Sequence, residues 1–137
     1  MDTRALQAPA PLGSGLRLPA RPSSLAAARR YSEQAACAFG MSGECCYEVA
    51  YAVNEAVTNA IRHGAPDGWG DIGLSILMDH DRLTFVVRDS GTFQPPSESS
   101  ASSDHGRGLA LMAALMDDVR VQVEPGGTTI HLTKSRA

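Results

Sequence analysis

The sequence predicts an α+β fold, a two-layer α/β sandwich in which a mainly antiparallel sheet is covered by helices on one face. Three observations carry this expectation. Segments 25–39 and 44–63 place apolar residues at the helical period, segments 71–89 and 119–134 alternate apolar and polar residues at the strand period with a turn in each, and an apolar helical run separates those two hairpins. A sheet with one apolar face needs cover, and the helices supply it.

The elements follow in order. Residues 1–15, "MDTRALQAPAPLGSG", are rich in Pro, Ala and Gly without apolar periodicity and read as a mobile leader, so the domain is expected over 16–137. "LRLP" suggests a short edge strand stopped by Pro19. "RPSSLAAARRYSEQAACAFG" reads as a helix with Ser23 or Ser24 as its cap and Gly40 just past its end. Arg29 and Arg30 read as a solvated helical face, with contact to a partner as the alternative. The second helix is expected from about Glu44 to His63, with Glu44 suited to the positive end of the helix dipole and Gly64 permitting its termination.

Within that helix, "VNEAVTNAIRHG" combines an apolar stripe of Val49, Val53, Val57 and Ala60 with Glu48, Glu55, Asn59, Arg62 and His63 on the other side. Glu55 and Asn59 stand one turn apart and can act together. Taken by itself, such a face is also what an ordinary solvated helix presents.

In the first hairpin Ile72, Leu74, Ile76 and Met78 alternate, "DHDR" turns the chain, and Leu83, Phe85 and Val87 resume the pattern up to Asp89. The second hairpin carries Val119, Val121 and Val123, a Gly126–Gly127 turn, then Ile130 and Leu132. Between the hairpins a Pro/Ser-rich stretch from Thr92 to His105 gives way to Gly106, Gly108 and a helix expected to begin near Gly108. Free N–H groups at such a helix start favour an anion, and the two glycines remove side chains that would block it. A flexible hinge explains a lone G-x-G equally well.

Composition excludes several classes. With 137 residues and 43% hydrophobic content, the chain supports one core and hence one domain. Its apolar runs fall short of the roughly 20 residues that cross a bilayer, and the N-terminus lacks the apolar segment of a secretory signal, so no membrane is expected and a cytoplasmic location is. A formal charge of -3 lacks the footprint of a direct nucleic-acid binder. Cys37, Cys45 and Cys46 lack zinc-site spacing and read as small apolar packing residues, a disulfide or redox role being at odds with a reducing compartment unless the cysteines are exposed and of low pKa. His80 and His131 read as ordinary surface or strand residues.

The order E-x-x-x-N on a helix, D-x-G after a strand, a variable loop and G-x-G-L resembles the GHKL superfamily, whose Bergerat-type domain binds ATP. The resemblance spans roughly residues 16–134. Small size and the wording "NEAVTNAIRHG" make it similar to the anti-sigma factor serine/threonine kinases of bacteria.

That resemblance implies ATP and Mg²⁺ as cofactors and a role for each matching position. Asn59 would offer Mg²⁺ a hard carbonyl oxygen, and Glu55 would act as the catalytic base toward a serine hydroxyl. Asp89 would accept a hydrogen bond from the adenine amino group, while Gly91 lets the chain pass beneath the base. Gly106, Gly108 and Leu109 belong to the second glycine box, and Arg107 either adds charge to the phosphates or faces solvent. His63 and His105 border the same nucleotide region, with structural or capping roles. The sequence departs from the family's D-x-G-x-G pattern at Phe93, which stands at the second glycine and is expected to pack the lid. The partners implied are a STAS-type anti-sigma antagonist as phosphoacceptor and a sigma factor held in the competing state; a homodimer stays open. The alternative reading is a non-catalytic, ATP-dependent protein-binding switch.

Overall fold

The computed structural model describes residues 10–11, 13, 15–64, 70–90 and 104–136. Strands β1 (Ala10–Pro11) and β2 (Leu16–Pro19) precede a 3₁₀ turn at Pro22–Ser24 and helices α1 (Leu25–Ala38) and α2 (Gly43–Gly64). Strands β3 (Asp71–Met78) and β4 (Arg82–Asp89), helix α3 (Asp104–Leu115), and strands β5 (Asp118–Glu124) and β6 (Gly127–Ser135) complete the order. The sheet runs β1-β3-β4-β6-β5, with β2 also paired to β3, and every pairing is antiparallel. The two-layer α+β architecture expected from the sequence is the one observed.

Period-two patterning sets the register. Leu74, Val87, Ile130 and Val121 form one cross-strand row, and Ile76, Phe85, Leu132 and Val119 the next. A slip of one residue would turn each row toward water, so burial of Leu74, Ile76, Phe85, Val87 and Leu132 to within 1% of completeness locks the alignment. The following row is Asp89, Thr128 and Val123, where the core gives way to polar groups.

Small residues let the helices approach closely. Ala28 and Ala36 of α1, and Ala52 and Ala56 of α2, are fully buried, and Val49, Val53 and Val57 carry α2 onto the sheet as its periodicity predicts. Gly40, at φ +97°, ends α1: its N–H donates to the Cys37 carbonyl and the Met41 N–H to that of Ala36. Ser42 then caps α2 by accepting the Cys45 N–H at 3.1 Å.

Several expectations need correction. Ser24 does not cap α1 with its side chain; its hydroxyl donates instead to the Pro19 carbonyl at 2.7 Å, fastening the helix entry to β2. Part of the expected leader is paired, since Ala10–Pro11 lie opposite Met78 and Leu77 at the sheet edge. Helix α3 starts at Asp104 rather than near Gly108, and neither Gly106 nor Gly108 takes a positive φ. Two helical glycines cost only about 1 kcal/mol each, which the buried Met112 of α3 and Met116 just past its end can offset. Finally, Val121 and Val123 are exposed because β5 is the sheet edge, so only Val119 of that strand packs against the core.

Candidate functional site

The polar face of α2 is solvated only in part, with Arg62 exposed. Helix α3 lies over it, so Asn59 is buried to 7% exposure and Glu55 is half-buried. Contact is made at Gly108. A Cβ there would stand 3.4 Å from the Glu55 carboxylate and 3.5–3.6 Å from both polar atoms of the Asn59 amide. Any larger side chain would fill the space above the acid and amide. Around that point a cleft of about 330 Å³ opens, lined also by Thr58, Arg62 and Arg107. Two guanidinium groups beside one carboxylate leave the cleft net positive, which suits a polyphosphate.

The other end of the predicted site is built by the sheet. Asp89, the last residue of β4, is 9% exposed and sits opposite Thr128 of β6. Sequence reasoning missed Thr128. Its hydroxyl is buried and, among the described residues, finds no hydrogen-bond partner, a state that costs roughly 1–3 kcal/mol unless a ligand satisfies it. The available signal was Thr128's position at the start of β6, paired to an acid already singled out. Gly127 was read only as a turn residue; at φ +148° it lies so close that a Cβ would overlap the Asp89 carbonyl oxygen. Asp89, Gly127, Arg17 and Arg88 border a second cavity of about 400 Å³.

The structure thus brings Glu55, Asn59, Arg107 and Gly108 together and places Asp89 separately, with Thr128 beside it. The lid that would join the two ends, with Gly91 and Phe93, lies outside the described residues. Gly106 and His105 fall in the first turn of α3, and the His105 side chain also lies outside what is described. Because α3 begins at Asp104, the Gly108 N–H is in position to bond the Asp104 carbonyl, leaving free donors only earlier in the helix. The expectation of a loop whose two glycines both point backbone donors at a phosphate is corrected accordingly. Leu109 packs against the hydrophobic core, while Leu111 lines the cleft. His63 is half-buried in the last turn of α2 and is not among the residues lining the cleft.

These features fit the cofactors that the sequence implies. Gly108 leaves open a cradle that a methyl would fill, and Thr128 presents an unsatisfied buried hydroxyl. Among the described residues no group of three or more His, Cys, Asp or Glu side chains could hold a metal unaided. A cation bound through the single amide oxygen of Asn59 would therefore take its other ligands from phosphate and water, the habit of Mg²⁺.

Comparison with known proteins places the family and the fold. The sequence pattern of the histidine kinase-like ATPase domain matches residues 18–134. A serine-protein kinase RsbW of Bacillus licheniformis is 31% identical over 133 residues, covering 87% of this chain and 82% of its own. An anti-sigma F factor of the same species is 35% identical over 98 residues, 64% of this chain and 67% of its own. A Mycobacterium tuberculosis protein solved as its RsbU and RsbW domains superposes on 89% of this chain with a TM-score of 0.68 and 25% identity; the match spans 32% of that larger chain. A histidine kinase domain from Erythrobacter litoralis shares the fold, with a TM-score of 0.58 at 20% identity over 79% of this chain and 60% of its own. The chain belongs to the histidine kinase-like ATPase domain family and, within it, to the group of RsbW-type serine-protein kinases. Among the described residues no helix is long and apolar enough to cross a membrane.

Proposed function

We propose that this protein is an ATP- and Mg²⁺-dependent anti-sigma factor serine kinase of the bacterial cytoplasm. It transfers phosphate to a serine of a small STAS-type antagonist and sequesters a sigma factor in the competing state. A homodimer is part of the same proposal. The observation that carries it is the meeting of Glu55, Asn59 and Gly108 between α2 and α3.

Each residue then has a chemical task. When bound, ATP supplies the transferable phosphoryl group and Mg²⁺ screens the charge that develops on it. Asn59 presents its amide oxygen to the cation. Arg62 and Arg107 concentrate positive charge around the phosphate end. Asp89 accepts the amino hydrogen of adenine, and the Thr128 hydroxyl beside it acquires the partner it lacks. Glu55 takes the proton from the incoming serine hydroxyl as that oxygen becomes a nucleophile.

The test pairs transfer with binding. Glu55→Ala is expected to lower the rate of antagonist phosphorylation by about 10²–10⁴-fold while calorimetry shows ATP affinity nearly unchanged. A wild-type protein that binds ATP and antagonist yet leaves no phosphoserine would overturn the kinase reading. ATP-sensitive partner binding without transfer would select the non-catalytic switch.

A further inference from the structure

We propose that Cys37 and Cys46 form a thiol modification site that closes into an intramolecular disulfide by exchange with a low-molecular-weight disulfide such as oxidised glutathione. This inference is independent of the kinase reading, because both cysteines lie away from the nucleotide cleft.

The α1–α2 turn creates the juxtaposition. Cys37 stands in the last turn of α1 and Cys46 in the first turns of α2, with only residues 39–42 connecting the helices. The Schellman-type close at Gly40 folds the second helix back beside the first, and the two sulfurs come within 2.7 Å. A disulfide bond is roughly 2.05 Å long, so closure requires sulfur movement of under an ångström. Cys45 is the control supplied by the chain itself. It neighbours Cys46 in sequence but points about 100° away around the helix, and its Sγ makes no hydrogen bond to Cys37 of the kind Cys46 makes.

The two partners differ in the way an exchange reaction needs. Cys37 is exposed and can meet a reagent in solution, whereas Cys46 is 2% exposed and lies against Cys37. The Cys46 thiol lies 3.6 Å from the Met41 carbonyl, and burial pushes its pKa up to about 11, so it does not initiate. The Cys37 thiolate attacks one sulfur of the reagent, forming a mixed disulfide and releasing one thiol. Cys46 then attacks the Cys37 sulfur, its proton passing to the departing second thiol. In sum, two cysteine thiols lose two electrons and two protons, and the reagent's S–S bond takes up both to leave two free thiols.

The bond would fasten the end of α1 to the start of α2. Glu55 lies nine residues beyond Cys46, or about 14 Å along the helix at 1.5 Å per residue. Nucleotide affinity is therefore expected to change by less than about twofold, and a larger loss would show that closure disrupts α2, against the proposal.

The experiment uses the full chain, reduced and then held with oxidised glutathione in native buffer. Titratable thiols should fall from three to one, and the Tm should rise by roughly 5 °C or more. Cleavage after Glu33, Glu44 and Glu48 separates Cys37 from the Cys45–Cys46 pair, so mass spectrometry of unreduced peptides reads the cross-link directly. Cys45→Ser should close as the wild type does, and Cys37→Ser, an exposed substitution, should not form this link. The proposal fails if Cys37 stops at the glutathione adduct, if Cys45→Ser blocks closure, if the Tm falls, or if the thiols react only after denaturation.

Discussion

Gly108 matters for the side chain it lacks. Gly108→Ala places a methyl against the Glu55 carboxylate and the Asn59 amide in a helical segment that tolerates it. The variant should be more stable by up to about 1 kcal/mol in denaturant titration, through helix propensity, yet bind ATP roughly tenfold or more weakly by calorimetry. Unchanged affinity would remove the cleft from the nucleotide site. Cys46 contributes a pH dependence of a different kind. Its thiol titrates near 9.0 when unfolded and near 11 when buried. Between those values the unfolded chain has lost the proton that the folded chain retains, so its stabilising contribution is intact below pH 9 and is lost as pH rises toward 11. Cys46→Ala should flatten that alkaline decline in stability, measured by urea midpoints across the interval.

At the scale of elements, α2 is held from three sides. Its apolar stripe rests on the sheet, α1 packs along another side, and α3 covers Glu55 and Asn59. Lys134, the chain's single lysine, joins these parts. From β6 its ammonium donates to the Leu115 carbonyl at the end of α3, at 2.5 Å, and pairs with Glu48 of α2 at 3.3 Å. The side chain is only 12% exposed, so Lys134→Met leaves a carbonyl and a partly buried carboxylate unpaired. A loss of about 1–3 kcal/mol is expected in urea unfolding, with ATP affinity falling as α3 loosens over α2. A neutral effect on both would show that α3 is positioned by the packing of Met112 and Met116 alone.

For the molecule as a whole, the proposed site is divided between layers. Glu55 and Asn59 come from the helical layer, while Asp89 and Thr128 come from the sheet. A ligand reaching both must therefore stabilise the entire fold. At a hundredfold excess over Kd, ATP with Mg²⁺ should add about 2.7 kcal/mol, or roughly 8–12 °C in Tm for a chain of this size. Removing Mg²⁺ with a chelator should reverse most of the shift. GTP should give little, because guanine carries a carbonyl where Asp89 needs a donor. Equal shifts with ATP and GTP would displace Asp89 from its assigned role.

Local patterning was sufficient for much of this. Alternation at Ile72–Leu74–Ile76 and Leu83–Phe85–Val87 specified β3, β4 and their shared inner face, and the spacing of Val49, Val53 and Val57 specified α2's buried stripe. These signals repeat every second residue or every helical turn, and they need no knowledge of distant parts of the chain. The polar segments E-x-x-x-N, D-x-G and G-x-G-L became candidate site residues through their order along the chain, which resembles the GHKL superfamily. Their meeting was not legible, since Gly108 touches Asn59 only because α3 folds across α2, a contact between residues about fifty positions apart. Thr128 stayed hidden for the same reason, its partner Asp89 being set by the β4–β6 register. The start of α3 was misjudged because Gly106 and Gly108 look like loop residues until the packing of Met112 and Met116 offsets their cost. Sequence by itself determined which faces are apolar, because periodicity is local. Tertiary structure alone decided which polar groups converge, because that depends on how layers separated along the chain are stacked.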